Sequence, residues 1–80
     1  MTIREKERKE KEAWLKAFGS HIKKMRIKNG ISGAEFARLL FIDQPNLTRL
    51  EKGRVNPSLY FIKKICDVLE INLEDLFKQF

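Results

Sequence analysis

Gln44, Asn46, Thr48 and Arg49 lie within six residues of one another, and each can read the edge of a base pair. Arginine can bridge O6 and N7 of guanine, and glutamine or asparagine can bridge N6 and N7 of adenine. Threonine can touch a thymine methyl, as can the ring of Pro45, which offers a base no hydrogen bond. That chemistry requires the side chains to share the exposed side of a helix. Leu47 and Leu50 lie about 60° apart on a helix wheel and must face a core. Pro45, Thr48, Arg49 and Lys52 then cluster opposite them, with Gln44 and Asn46 on the flanks near the helix start. The bland reading of the same pattern is a solvated polar face.

The elements that would position these residues follow from local chemistry. Asp43 is a good N-cap, Pro45 is tolerated in a first turn, and Gly53 is a stop, so a helix spans about Gln44 to Lys52. Ser32-Gly33-Ala34-Glu35 has the S-x-x-E form of a capping box, in which the serine accepts from the Glu35 amide and the glutamate reaches back. It opens a helix that runs to about Leu40, with Phe36, Ala37 and Leu40 inward. Two short helices separated by about three residues are the mark of a helix-turn-helix, here about residues 33–52. Before it, Trp14, Leu15, Phe18, Ile22 and Met25 form one apolar stripe on a helix from Ala13 to Asn29, closed by Gly30. After it, Asn56-Pro57-Ser58 leads into a helix from Leu59 to Leu69, striped with Ile62, Ile65, Cys66 and Leu69. Asn72 caps a last short helix, Leu73 to about Lys78, with Glu74 and Asp75 in the turn where the helix dipole favours them. The fold class is all-α: a compact domain of five helices, residues 13–80, around one core.

Residues 1–12 form a charged N-terminal extension. Arg4, Lys6, Arg8, Lys9 and Lys11 alternate with Glu5, Glu7, Glu10 and Glu12, and apart from Met1 only Ile3 is large and apolar. Glu5–Lys9 and Glu7–Lys11 have the favourable i,i+4 order. The run nevertheless reads first as a frayed, solvated tail and second as an outward extension of the first helix. Its four glutamates argue against a basic arm that enters a DNA groove.

Composition narrows the function. A chain of 80 residues is one domain and buries only about 60% of its unfolded surface, so a partner subunit would help. The net charge is +6, unevenly spread: Lys16 to Lys64 holds eleven basic and three acidic residues, whereas after Ile65 four carboxylates face Lys78 alone. A basic middle suits a polyanion and an acidic end suits something else. The lone Cys66 excludes an intramolecular disulfide and reads as a small buried hydrophobe in a reducing compartment. No apolar run is long enough for a membrane span or a signal peptide, so the expected location is cytoplasmic and no membrane partner is expected. The single histidine, His21, is expected on the exposed side of the first helix. No metal-ligand, nucleophile–base or phosphate-loop constellation occurs, so neither an enzyme nor a cofactor or metal is expected.

The stretch from Phe18 to Phe77 resembles the Xre/Cro/lambdoid-repressor family of helix-turn-helix proteins. The residues that carry the resemblance are Ile22-Lys23-Lys24-Met25-Arg26, Ile31 to Ala37, Leu47 to Gly53, Asn56-Pro57-Ser58-Leu59 and Ile71 to Phe77. It implies a five-helix lambda-repressor-like domain that binds double-stranded DNA, usually as a homodimer on a palindrome, with the helix Gln44–Lys52 in the major groove. It also implies a structural salt bridge between Arg26 and Glu51. Phosphates would meet the amides of Gly33 and Ala34 on one side and Lys52, Arg54 and Asn56 on the other. Lys23, Lys24, Lys28, Lys63 and Lys64 read instead as solvated charges or long-range steering. The chain departs from the family pattern where Gly33 replaces a common glutamine, where Phe41 replaces a common glycine, and at Pro45. Phenylalanine in a left-handed conformation costs about 1–2 kcal/mol, so either the turn is built differently or the ring of Phe41 is buried in compensation.

The functional expectation is a small bacterial or phage transcriptional regulator, a repressor or autoregulator specific for a DNA sequence. No room remains for a small-molecule effector domain. The competing reading is a protein-interaction module, such as an antitoxin-like or anti-regulator subunit. Leu73, Leu76, Phe77 and Phe80 exceed what a short terminal helix needs for its own docking and are candidates for a dimer interface, which Trp14 could join.

Overall fold

The computed structural model describes all 80 residues as five helices: α1 (Ile3–Lys28), α2 (Gly33–Leu39), α3 (Gln44–Glu51), α4 (Leu59–Leu69) and α5 (Leu73–Lys78). Each starts on a side-chain cap. Thr2, Ser32, Asp43, Ser58 and Asn72 each accept a hydrogen bond from the amide three residues on. Such a cap occupies one of the four amides a helix start leaves without an acceptor.

The helix ends repeat one device. After α1 to α4 the chain turns through a left-handed residue, Gly30, Phe41, Gly53 and Glu70 in order. The amide that follows returns to the carbonyl five residues back: Ile31 to Arg26, Ile42 to Ala37, Arg54 to Arg49 and Ile71 to Cys66. This is the Schellman closure, usually accompanied by an apolar contact from the residue after the turn. Ile31, Ile42 and Ile71 supply that contact by packing on the core.

The core holds Phe18, Ile22 and Met25 from α1, Phe36, Ala37 and Leu40 at α2, Leu47 and Leu50 from α3, Ile65, Cys66 and Leu69 from α4, and Leu76 from α5. Cys66 is buried, and burial, with the nearby Asp67 carboxylate second, pushes its thiol pKa up. Two glycines set how closely α1 approaches α3. A Cβ on Gly19 would stand 2.4 Å from the Leu50 carbonyl oxygen, and one on Gly53 2.5 Å from the Lys16 backbone. The backbone of α1 therefore lies directly on the end of α3 and the turn after it.

Several features depart from the sequence reading. The first helix begins at Ile3, so residues 3–12 continue α1 rather than fray. Glutamate, lysine and arginine are good helix formers, the cap at Thr2 holds the start, and extending a formed helix avoids the cost of nucleation. The pairs Glu5–Lys9 and Glu7–Lys11 do not close to within ion-pair distance. His21 is partly buried, not exposed: its Nε2–H donates to the Leu76 carbonyl (2.9 Å), one of the acceptors that α5 leaves free at its end. Leu76 itself is 0% exposed and belongs to the core, so it leaves the set of dimer candidates.

The Phe41 turn takes neither form expected of it. It keeps the left-handed geometry of a glycine turn (φ 58°), yet the ring is 87% exposed. The closure from Ile42 to Ala37 and the packing of Ile42 offset the strain. Lys64 adds to this, since its ammonium donates to the Leu40 carbonyl (3.3 Å) and sits 5.5 Å from the Phe41 ring centre. Lys64 is thus a local fastening between α2 and α4, not a free solvated charge.

Candidate nucleic-acid interface

The site is built outward from α3. Leu47 and Leu50 anchor it in the core, and Gln44, Pro45, Asn46, Thr48 and Arg49 are all exposed. Asp43 fixes the first turn by accepting from the Asn46 amide at 2.8 Å. Pro45 occupies the first turn, where its missing N–H is not needed.

Three of these exposed side chains divide between two hollows. Gln44 and Thr48 line a basin of about 220 Å³ with Lys23, Arg26, Gly33 and Lys52. Asn46 instead borders a groove against Ile42, Val55, Pro57 and Phe61. Arg49 donates to the Asn46 side-chain oxygen at 3.2 Å. That oxygen is the one a bidentate contact to adenine would use, so Arg49 and an adenine would share its two lone pairs. The Gln44 amide nitrogen lies 3.6 Å from where a Cβ on Gly33 would be. The glycine thus leaves Gln44 braced on this side by backbone alone.

Arg26 and Glu51 hold α3 in place. The Arg26 guanidinium donates to both Glu51 carboxylate oxygens (2.8 and 3.2 Å) and to the Ile31 carbonyl (2.9 Å). Both side chains are about nine-tenths buried, and no buried polar side-chain atom lacks a partner. One arginine thereby ties α1, the α1–α2 turn and α3 together. Glycines 19 and 53 fix the separation of α1 from α3 and the turn after it, a role the sequence reading missed. An isolated glycine inside a helical stripe, as at Gly19, is the signal that could have shown it.

At the start of α2, Ser32 caps the Glu35 amide, but the glutamate does not complete the box. Its carboxylate takes two hydrogen bonds from Arg38 instead (3.0 and 2.6 Å), which hold the Glu35 carboxyl below its usual pKa. A charge-assisted fork to arginine is stronger than one bond from a neutral amide. Gly33 and Ala34 sit in the first turn of α2, where amides lack intrahelical acceptors. Lys52, Arg54 and Asn56 project from the turn after α3 and are exposed.

Elsewhere on the domain, Trp14, Phe18 and Phe77 stack and Phe80 meets Trp14 and Phe18 edge-on, with ring centres 5.1–6.5 Å apart. Phe18 is buried, whereas Trp14, Leu73, Phe77 and Phe80 remain 38–48% exposed.

Residues 21–79 match the model of the Cro/C1-type helix-turn-helix DNA-binding domain. The chain belongs to this family. It is a helix-turn-helix DNA-binding domain and not an enzyme. Two proteins of the archaeon Archaeoglobus fulgidus, each described as an uncharacterized HTH-type transcriptional regulator, are 36% and 34% identical to it over 58 residues. The match covers 72% of this chain and 83% and 82% of theirs. Two crystal structures of the clp gene regulator ClgR from Corynebacterium glutamicum share its fold, each with a TM-score of 0.75 at 23% identity. They match 80% of this chain and 68% and 82% of theirs. The all-helical, five-helix architecture is therefore that of helix-turn-helix regulators. No helix is long and apolar enough to cross a membrane.

Proposed function

We propose that this Cro/C1-type domain is a sequence-specific transcriptional regulator of double-stranded DNA, acting as a repressor or autoregulator. In this reading α3 enters the major groove, and Gln44, Asn46, Thr48 and Arg49 read base edges. The Gly33 and Ala34 amides flank one phosphate backbone, while Lys52, Arg54 and Asn56 grip the other.

The observation that carries the reading is the exposed row of base-reading side chains on a helix whose pose is locked by the buried Arg26–Glu51 pair. A merely solvated face has no need of so firm a mounting. Backbone contacts supply affinity without sequence information, and base contacts supply the specificity. Affinity for the chain's own upstream DNA, falling steeply between 50 and 200 mM salt, is the expected result of a gel-shift titration. Absence of binding to any duplex at low salt would leave the interaction-module reading in possession.

The same reading makes the chain a homodimer through Leu73, Phe77, Phe80 and Trp14. These are the partly exposed apolar residues at and around the Trp14–Phe80 ring contact. Two recognition helices about one turn of DNA apart would then require an operator with two-fold symmetry.

A further inference from the structure

The continuation of α1 past the core changes what its charged residues can do. A tail would leave its four glutamates and five cations without fixed neighbours, but a helix sets Arg8 and Lys11 along one side of a groove. Arg8, Lys11 and Lys16 border an open groove of about 910 Å³, whose other bank is the turn carrying Lys52, Arg54 and Asn56. Glu7 and Glu10 do not line it. Of the two carboxylates that do, Glu51 is committed to Arg26, which leaves Glu12 alone against the cations.

The groove is built, not incidental. The close approach of Gly53 to the Lys16 backbone holds the turn against α1 and so sets the separation of the two banks. From Lys16 to Arg8 the helix rises about 12 Å beyond that contact. Arg8 and Lys11 are exposed and make no ion pair, so their charge is available to a ligand. A row of unpaired cations that continues a phosphate-gripping turn is suited to a polyanion with regularly spaced charges.

We infer that the α1 extension is a second DNA-backbone site. Arg8 and Lys11, with Lys16, bind phosphates flanking those held by Lys52, Arg54 and Asn56, and so lengthen the footprint beyond the reach of the helix-turn-helix. The inference rests on the DNA-binding reading above. The site adds affinity and no sequence preference, because it offers cations to phosphates and nothing to base edges.

The test is the salt dependence of binding to an unrelated 30-base-pair duplex, measured for wild type and for the double variant Arg8→Gln/Lys11→Gln. Losing two phosphate contacts lowers the slope of log K against log salt by about 1.8. Extrapolated from 1 M to 0.15 M salt, that slope change is about a 30-fold loss of affinity. The control is Lys6→Gln/Lys24→Gln, two exposed lysines about five helical turns apart on one line of α1 that does not border the groove. It removes the same charge, and its slope is expected to stay within about 0.5 of wild type. Unchanged thermal melts establish that the variants are folded. A groove variant with the wild-type slope, or a control that falls as far, overturns the extension site while leaving the function standing. Wild-type protein that binds no duplex at 20 mM salt overturns both.

Discussion

Substituting Glu51 tests how the recognition helix is held. In Glu51→Ala the guanidinium of Arg26, a residue 8% exposed, keeps only its bond to the Ile31 carbonyl. Removing one partner of a buried pair costs about 3–5 kcal/mol, because the remaining charge is left uncompensated. Both side chains retain about a tenth of their exposure, so water can reach the orphaned charge, and the lower figure of about 3 kcal/mol applies. Against a total stability of about 4–12 kcal/mol for a chain of this length, that is a quarter or more. At about 4–8 °C per kcal/mol, the melting temperature falls by about 12–24 °C. The double variant Arg26→Met/Glu51→Leu removes both charges and leaves only the Ile31 carbonyl short of a partner. It melts within about 1 kcal/mol of wild type. If the pair serves position more than stability, this double variant is folded yet binds DNA at least tenfold more weakly. Thermal denaturation followed by circular dichroism, with a gel-shift titration beside it, reads both quantities. Glu51→Ala within about 0.5 kcal/mol of wild type would refute the reasoning, as would a double variant with full DNA affinity.

Three further substitutions bear on the framework. Gly53→Ala meets a positive φ of 75° and the Lys16 backbone together, so it destabilises by at least about 2 kcal/mol in a urea titration. Glu70→Gly has the opposite sign: it relieves a left-handed residue (φ 57°) and removes a negative charge from the end of α4. A gain of about 1 kcal/mol by thermal melt is expected. Trp14 is the single tryptophan and belongs to the proposed dimer face, so its emission shifts to the blue as protein concentration rises, and Phe80→Asp abolishes the shift.

Helices α2 to α5 are legible in the sequence because their boundaries are set by local chemistry. Ser32, Asp43, Ser58 and Asn72 announce each start, and each cap acts within three residues. The start of α1 is illegible because residues 3–12 bear no apolar stripe. Their helicity derives from continuation of a helix already anchored by Phe18 and Ile22. Whether Leu76 faces inward or outward cannot be read from a six-residue helix, whose few apolar positions fit more than one docking. The left-handed turns at Phe41 and Glu70 are dictated by bonds to carbonyls five residues back and by the burial of Ile42 and Ile71. An isoleucine two residues past a helix end is the faint sequence trace of that device.

The interface divides in the same way. The exposed face of α3 follows from Leu47 and Leu50 alone, whereas the Arg26–Glu51 pair is legible only through the family resemblance, because 25 residues separate its partners. The link between Asn46 and Arg49 escapes a wheel that treats side chains as independent. The basic groove escapes as well, because one bank lies in a segment whose composition reads as tail.

The central claim, that α3 reads base edges, is tested most directly by one competition measurement. Sites selected from random duplexes are compared with unselected DNA for wild type and Arg49→Ala. Wild type prefers selected sites by at least about 1,000-fold. Arg49→Ala lowers that preference by about 1–3 kcal/mol, or about 5- to 150-fold, while its affinity for unselected DNA stays within a few-fold. Equal loss on both kinds of DNA would contradict the claim, since it would make Arg49 a backbone contact.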